Sequence, residues 1–384
     1  MIAFSIGHVH LLPGGAGARG IFAVVLALLA VYACRLLYRT IVIARAGTSA
    51  ARDDGEVEGV SVIITARDSV AALEENLPAF LEQEHDEGKY EVIVVDDGSV
   101  DGTSEFLART REECPLLRCT RVYPGTKFRF TKKLAINIGV LAARHDVLLF
   151  SEAGCRPATR SWARAMGSCF DGETAVVVGY SNFKDGKCRF AWRRHARFAR
   201  FLEVLLHVGQ RAPLLGDGCN MGYRKSCYMQ ARGFAGDTQS YAGYDHDMAR
   251  VLSARGKVKA CVSPGSFMLV DDRDEERVTG DTSRYFACKS RWPLALRLRE
   301  GMDAAARAGI YLLSLSLVLT GVLPAYALLP AVVVFVLDVA SARFLARRFH
   351  QQGLLLASLV AHAAGFAYRW YWHGYSFFNP GKWR

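Results

Sequence analysis

The chain has 384 residues, with 48 Lys plus Arg against 37 Asp plus Glu, and a formal charge of +11. Hydrophobic residues make up 51% and charged residues 22%, which excludes a disordered chain; 35 Gly and 11 Pro exclude collagen and low-complexity linkers. A mean hydropathy of +0.11 is high for a soluble enzyme and assigns part of the apolar content to a membrane.

The first apolar run, Ile21 to Leu37, falls within the ~17–25 residues of a membrane span, with Arg35 able to snorkel to the interface. Arg35, Arg39 and Arg45 follow the run. That is the pattern of a retained anchor with its N-terminus outside, and not of a cleaved signal peptide. Thr48 to Glu58 is polar and reads as a linker.

Val60–Thr65 is a short continuous apolar run, as expected of a strand buried on both faces. Leu73 to Glu84 has helical spacing through Leu77, Phe80 and Leu81, and Glu91–Val95 is a second buried strand. Thr103–Arg111 reads as helix, and Lys132–Ala143 as a helix with Leu134, Ile138 and Leu141 on one face. Val147–Phe150 is a further strand, and Phe190–His207 a helix. This alternation predicts an α/β fold, a parallel sheet with helices on both faces. Ligands in such sheets bind beyond the carboxyl ends of the strands. The residues there are Thr65-Ala66-Arg67-Asp68, Asp96-Asp97-Gly98-Ser99 and Ser151-Glu152-Ala153-Gly154.

A second apolar region, Ile310 to Ala340, is too long for one straight span at ~1.5 Å per residue across a ~30 Å core. Pro324 and Pro330 near its middle predict two short spans turning around Pro324, returning the chain to the cytoplasm at Arg343, Arg347 and Arg348. Gly353 to Tyr371, with Tyr368, Trp370, Tyr371 and Trp372 at its end, reads as an interfacial helix or a marginal span. The division is an N-terminal anchor (1–46), a linker (47–58), a globular domain (59–299) on the cytoplasmic side, and a C-terminal hairpin with interfacial helix (300–384).

Ten scattered cysteines include no CxxC pair and read as reduced thiols. The histidines show no ligand spacing. No G-x-G-x-x-G follows the first strand, and P-loop, HExxH and GxSxG motifs are absent. No nucleic-acid-binding motif appears; the basic excess lies largely beside membrane segments, where anionic lipid explains it.

VSVIITARDS, EVIVVDDGSVDGT and TKKLAINIGVLAARHDVLLFSEAGCRP together resemble the family-2 inverting glycosyltransferases of the GT-A fold, in particular membrane-anchored bacterial members. The resemblance covers about Val60 to Trp292 and implies a nucleotide-diphospho-sugar domain in the bacterial inner membrane. It implies a nucleotide-sugar donor, UDP-linked, a lipid-linked or glycan acceptor, and contact with membrane lipid. Asp68 and Asp97 resemble the carboxylates that hold uracil and ribose, with Thr65, Ala66, Arg67 and Asp96 lining the pocket. Lys132 resembles the lysine that faces the donor; its alternative is a solvated helix start. Asp-Asp-Gly-Ser alone is more often a plain turn.

Where the family has Asp-x-Asp for a divalent cation, Mg²⁺ or Mn²⁺, this chain has Glu152-Ala153-Gly154. Glu152 is the one acid left to hold a metal. Asn220, in GDGCNMGYRK, resembles the acceptor-side stretch. Gly243-Tyr244-Asp245-His246-Asp247 resembles Gly-Glu-Asp-x-Asp, with Tyr244 in place of the first acid, Asp245 at the catalytic base and Asp247 as the helix-side acid. Carboxylates also cap helices, and both roles can hold at once. Cys288-Lys289-Ser290-Arg291-Trp292 resembles Gln-x-x-Arg-Trp, with Arg291 and Trp292 matching on the acceptor side. The alternative there is an amphipathic juxtamembrane helix over Arg284–Arg299. The resemblance thus implies a hexosyltransferase with Asp245 as general base. The departures at Gly154, Tyr244 and Cys288 keep a second reading open, an inactive GT-A domain that binds a nucleotide or a partner. A nucleotidyltransferase lacks support, because no Gly-rich phosphate loop lies near the N-terminus.

Overall fold

Runs of β-branched residues suit a sheet covered on both faces, and the computed structural model builds its sheet from them. It describes residues 16–46, 58–122, 132–183, 191–209, 215–235, 244–271, 273, 275–321 and 323–379. The chain opens with α1 (Ala16–Ala46), β1 (Val60–Ala66), α2 (Val70–Leu81), β2 (Tyr90–Asp96), α3 (Thr103–Glu113), β3 (Leu117–Arg121), α4 (Lys132–Ala142) and β4 (Val147–Glu152). It continues through β5 (Cys155–Pro157), α5 (Trp162–Gly167), β6 (Thr174–Gly179), β7 (Ser181–Phe183), α6 (Ala191–Gly209), β8 (Met221–Arg224) and α7 (Lys225–Gln230). Next come α8 (His246–Leu252), β9 (Lys257–Cys261), β10 (Met268–Val270), α9 (Glu275–Ser290), α10 (Leu294–Leu319), α11 (Leu329–Arg348) and α12 (Leu355–Phe378). Apart from Glu58, which pairs with Arg224, the linker expected at 47–58 lies outside the described residues.

Seven strands lie in the order β3-β2-β1-β4-β8-β6-β9. β1 pairs in parallel with β2 and β4, and β2 with β3, but β8 runs antiparallel between β4 and β6. The expected wholly parallel sheet is therefore mixed. β6 ends and β8 begins at the same edge, so β8 must run back across the sheet. A second sheet, β5-β10-β7, holds Cys155–Pro157 beside the end of β4.

All of β1, β2, β4 and β6 is buried. Helix α4 lies on this sheet by a different face from the expected one: Ala135, Ile136, Gly139 and Val140 are buried, and Leu141 is 55% exposed. Gly139 explains the choice. A Cβ there would meet Ile63 Cγ2 at 2.5 Å, so the bare backbone lets the helix approach the strand.

The chain divides into two units, residues 1–41 with 292–366 and residues 42–291 with 367–384. In the first, α1, α10 and α11 pack through Val25, Tyr32, Ile310 and Val334. Among the described residues, three helical segments, Gly17–Ala46, Leu294–Leu319 and Ala325–Arg348, are long and apolar enough to cross a membrane. The expected turn is present: Gly321 has φ +68°, Pro324 precedes a 3₁₀ turn at Ala325–Leu328, and Pro330 sits in the first turn of α11. Several polar groups within this bundle are paired: Tyr32 Oη donates to Asp338 Oδ1 at 2.6 Å, and Arg35 and Arg39 both bind Asp303.

The alternative helix over 284–299 is broken, because α9 stops at Ser290 and Pro293 caps α10. At the far end of the chain, Tyr368 and Trp372 of α12 pack on Phe286 of α9, whereas Trp370 and Tyr371 stay exposed.

Candidate active site

The ends of β1 and β2 are laced together. Asp96 closes the Asp-Asp-Gly-Ser turn: Oδ1 accepts from Ser99 N–H at 2.8 Å and Oδ2 from the Ser104 hydroxyl. Gly98 supplies the φ of +73° that this turn needs. Asp96 is thus committed to the loop, while the neighbouring Asp97 is fully buried, its N–H donating to Ala66 O at 2.8 Å. Asp68 reaches across from β1. Its Oδ1 accepts from Val100 N–H at 2.8 Å, and its own N–H donates to Ser99 Oγ at 2.9 Å. Asp68 also holds φ +45°, a left-handed conformation uncommon outside Gly. Its carboxylate keeps 44% exposure and lies 4.0 Å from Arg67 Nε. Thr65 Oγ1, buried and without a hydrogen-bond partner among the described residues, lines a small cavity with Lys132, Ser151, Tyr223 and Tyr244.

Glu152, the last residue of β4, is 5% exposed and surrounded by donors. Its Oε1 accepts from Lys132 Nζ and from Tyr244 Oη at 2.9 Å; its Oε2 accepts from Arg277 Nη2 at 3.1 Å. Lys132 also lies 4.2 Å from the Tyr244 ring centroid. Burial works against the Glu152 charge, but Lys132, Arg277 and Arg284 outweigh it and hold the carboxyl well below the usual carboxylate range. Burial likewise keeps the Tyr244 phenol neutral, helped by Glu152 and Asp245. Lys132, expected to face the donor, is itself buried against Glu152. A Cβ at Gly154 would meet Arg277 Nη1 at 1.5 Å, so a guanidinium stands where a second carboxylate would start. Two cations and a phenol enclose the lone carboxylate, an arrangement that does not fit a divalent metal. Among the described residues, no group of three or more His, Cys, Asp and Glu side chains could hold one.

Asp245 follows Tyr244 and caps α8, its Oδ1 accepting from His246 N–H at 2.8 Å. Gly216 packs on it so closely that a Cβ would meet Asp245 O at 2.8 Å. The Asp245 side chain is 14% exposed and lines a charged cavity with Arg197, Arg200, Asp217, His246 and Asp281. Burial outweighs Arg197 and Ser181 at Asp217 and raises its pKa. At Asp281 the balance is reversed: Arg197, Arg200 and Arg284 overcome burial and lower the carboxyl to about 2. Gly243, which opens the motif, lies outside the described residues.

The acceptor-side candidates separate. Asn220 spends its amide inside the fold, donating to Tyr180 O at 2.7 Å and Ser266 O at 2.8 Å and accepting from Trp162 Nε1 at 3.0 Å. It is a scaffold residue with nothing left for an acceptor, because the loop before β8 must be tied to two neighbouring backbones. Asp247 and Arg291 pair at 3.4 Å and remain partly exposed. Trp292 is buried at the point where the chain enters the helical unit.

Sequence reasoning missed the ion pairs that join α6 to α9. Arg193 binds Glu275, while Arg197 and Arg200 both reach Asp281 Oδ2, at 3.2 and 3.0 Å. Lys289 binds Glu203 at 2.6 Å. This ladder fixes the face of α9 that carries Arg277, Asp281, Arg284 and Cys288. Their spacing was the available signal, since residues three and four apart share one helix face. Cys288 is buried there, its thiol pushed up to about 12 by burial and the charges of Asp245 and Asp247.

Residues 61–231 match the profile of Glycosyl transferase family 2. The match ends before Asp245 and Arg277. An uncharacterized glycosyltransferase of Bacillus subtilis (strain 168), YfnE, is 31% identical over 159 residues, which are 41% of this chain and 36% of that protein. The chain therefore spans about a third of that relative's length. A mannosyltransferase of Pyrobaculum calidifontis, PcManGT, solved with GDP-Man and Mn²⁺, is similar with a TM-score of 0.54 at 20% identity. That likeness covers 89% of this chain and 98% of the other and is one of fold.

Proposed function

We propose that the chain is a glycosyltransferase of family 2 that moves a sugar from a nucleoside-diphosphate donor, UDP-linked, to a lipid-linked or membrane-proximal hydroxyl with inversion; the family profile over residues 61–231 supports the class. What supports the reading is a shared sheet edge: Asp68 and Asp97 after β1 and β2, Glu152 at the end of β4, and Asp245 one residue from the phenol that binds Glu152. Asp68 and Asp97 accept from the nucleoside, with Thr65, Ala66 and Arg67 beside them. Asp245 removes the acceptor hydroxyl proton as that oxygen attacks the anomeric carbon. The bond to the departing diphosphate breaks on the opposite face, and the nucleoside diphosphate carries away the electron pair. Asp247 and Arg291 flank the acceptor.

Three helices able to span a membrane support a site held at the bilayer. The domain is proposed to face the cytoplasm of a bacterial cell membrane, where nucleotide sugars are made. Asp245→Asn tests the chemistry. The variant should bind UDP as the parent does and lose transfer of radiolabelled sugar to membrane lipids by about 10²–10⁴-fold, the usual contribution of a general base. Full activity in a folded Asp245→Asn protein would refute the assignment.

A further inference from the structure

Resting on the reading of this edge as the donor pocket, we propose that Arg277, with Lys132 behind it, takes the place of a divalent cation, so that the chain binds the donor's diphosphate without metal. Three separate features converge on this. The second acid of the metal pattern is Gly154, and the space its side chain would enter holds the Arg277 guanidinium: Nη1 lies 1.5 Å and Cζ 2.7 Å from a Cβ built there. The first acid of the downstream pattern is Tyr244, a neutral donor to Glu152. One carboxylate therefore remains where a dication would need more. That carboxylate is already matched by Lys132 and Arg277.

The exchange keeps positive charge at the diphosphate. Glu152, Lys132 and Arg277 together carry one net positive charge with no dication present. Exposure decides which cation meets the ligand: the Lys132 and Glu152 side chains are 3% and 6% exposed, that of Arg277 25%. A guanidinium presents a rigid fork of donors that pairs with phosphate oxygens two at a time. Arg277 is held for that task from both sides. Its Nη2 pairs with Glu152 Oε2 at 3.1 Å, and α9 is pinned by the Arg193–Glu275, Arg197–Asp281 and Arg200–Asp281 pairs.

Calorimetry on the detergent-solubilised full chain tests the proposal, with UDP, GDP and UMP as probes, in EDTA or in millimolar Mn²⁺. The parent should bind a nucleoside diphosphate within about threefold of the same affinity in both buffers. Arg277→Met should weaken the diphosphate by about tenfold or more, the loss of one or two charge-assisted hydrogen bonds, and leave UMP within about threefold. Arg277→Lys should recover part of the loss. The double variant Gly154→Asp/Arg277→Ala restores the acid pair and removes the guanidinium, and should gain a Mn²⁺ requirement. A parent affinity that falls more than about tenfold in EDTA overturns the proposal and leaves the donor reading standing; that comparison needs no variant to fold. Undiminished UDP binding by folded Arg277→Met also overturns it. Failure of the parent to bind any of the three probes in either buffer overturns the donor reading, and this proposal with it.

Discussion

Glu152→Gln separates a buried counter-charge from a metal ligand. In the parent, one oxygen serves Lys132 and Tyr244 and the other serves Arg277. Glutamine keeps the shape and one acceptor, but turns an amide N–H₂ towards a guanidinium or an ammonium. Removing one member of a buried ion pair costs about 3–5 kcal/mol. The lower end applies, since Arg277 retains 25% exposure and can rotate towards water. A loss of about 3 kcal/mol should lower the melting temperature by about 6–12 °C in a unit of this size. The sign with pH follows from the depressed carboxyl. Its folded pKa lies below the unfolded value of ~4.3, so its contribution is complete above that value and is lost as pH falls towards the folded one. Thermal unfolding of the full chain in detergent, followed by tryptophan fluorescence between pH 7 and pH 3, reads both effects. The parent should lose stability faster than the variant below about pH 5, other carboxylates contributing equally to both. Adding Lys132→Met to Glu152→Gln should cost less than the two singles summed, by about 0.5–3 kcal/mol. Parallel pH curves with melting points within about 2 °C would refute the counter-charge assignment.

Asn220→Ala should cost at least about 3 kcal/mol, because two backbone carbonyls and the Trp162 indole lose their partner inside the core. Melting curves check this, and a loss under about 1 kcal/mol would mean that water replaces the amide. Cytoplasmic orientation predicts that an impermeant maleimide labels the partly exposed Cys114 and Cys227 only in permeabilised cells. Labelling in intact cells would place the domain on the other side.

Strands β1, β2 and β4 were legible because each is buried on both faces, and double burial writes itself as an unbroken apolar run. The three-residue strands β5, β7 and β10 carry no such record, since three residues cannot display a period. The direction of β8 was equally silent: MGYR reads the same whichever way its neighbours run. In α4 the apolar spacing pointed to Leu134, Ile138 and Leu141, and Gly139 overruled it. Close approach of backbone to sheet buries more than a leucine held at arm's length would. The turn at Pro324 was readable because proline acts on its own local geometry and needs no tertiary partner.

The candidate site divides along the same line. Carboxylates that follow buried strands announced Asp68, Asp97 and Glu152, because strand ends are where such sheets expose chemistry. Arg277 could not be announced in that way. Taken singly, Gly154 and Tyr244 look like losses, each removing an acid from a pattern that needs it. Their meaning depends on a third residue on a distant helix, whose guanidinium occupies the room left by Gly154 and binds the carboxylate that Tyr244 also binds. Restoring either acid alone would add a negative charge beside Arg277 without removing the guanidinium that fills the space. The substitutions therefore make sense only as a set. A chain that had merely decayed would have no reason to set a guanidinium in the room left by Gly154 and a phenol on the same buried carboxylate, at the desolvation cost such a charged cluster carries.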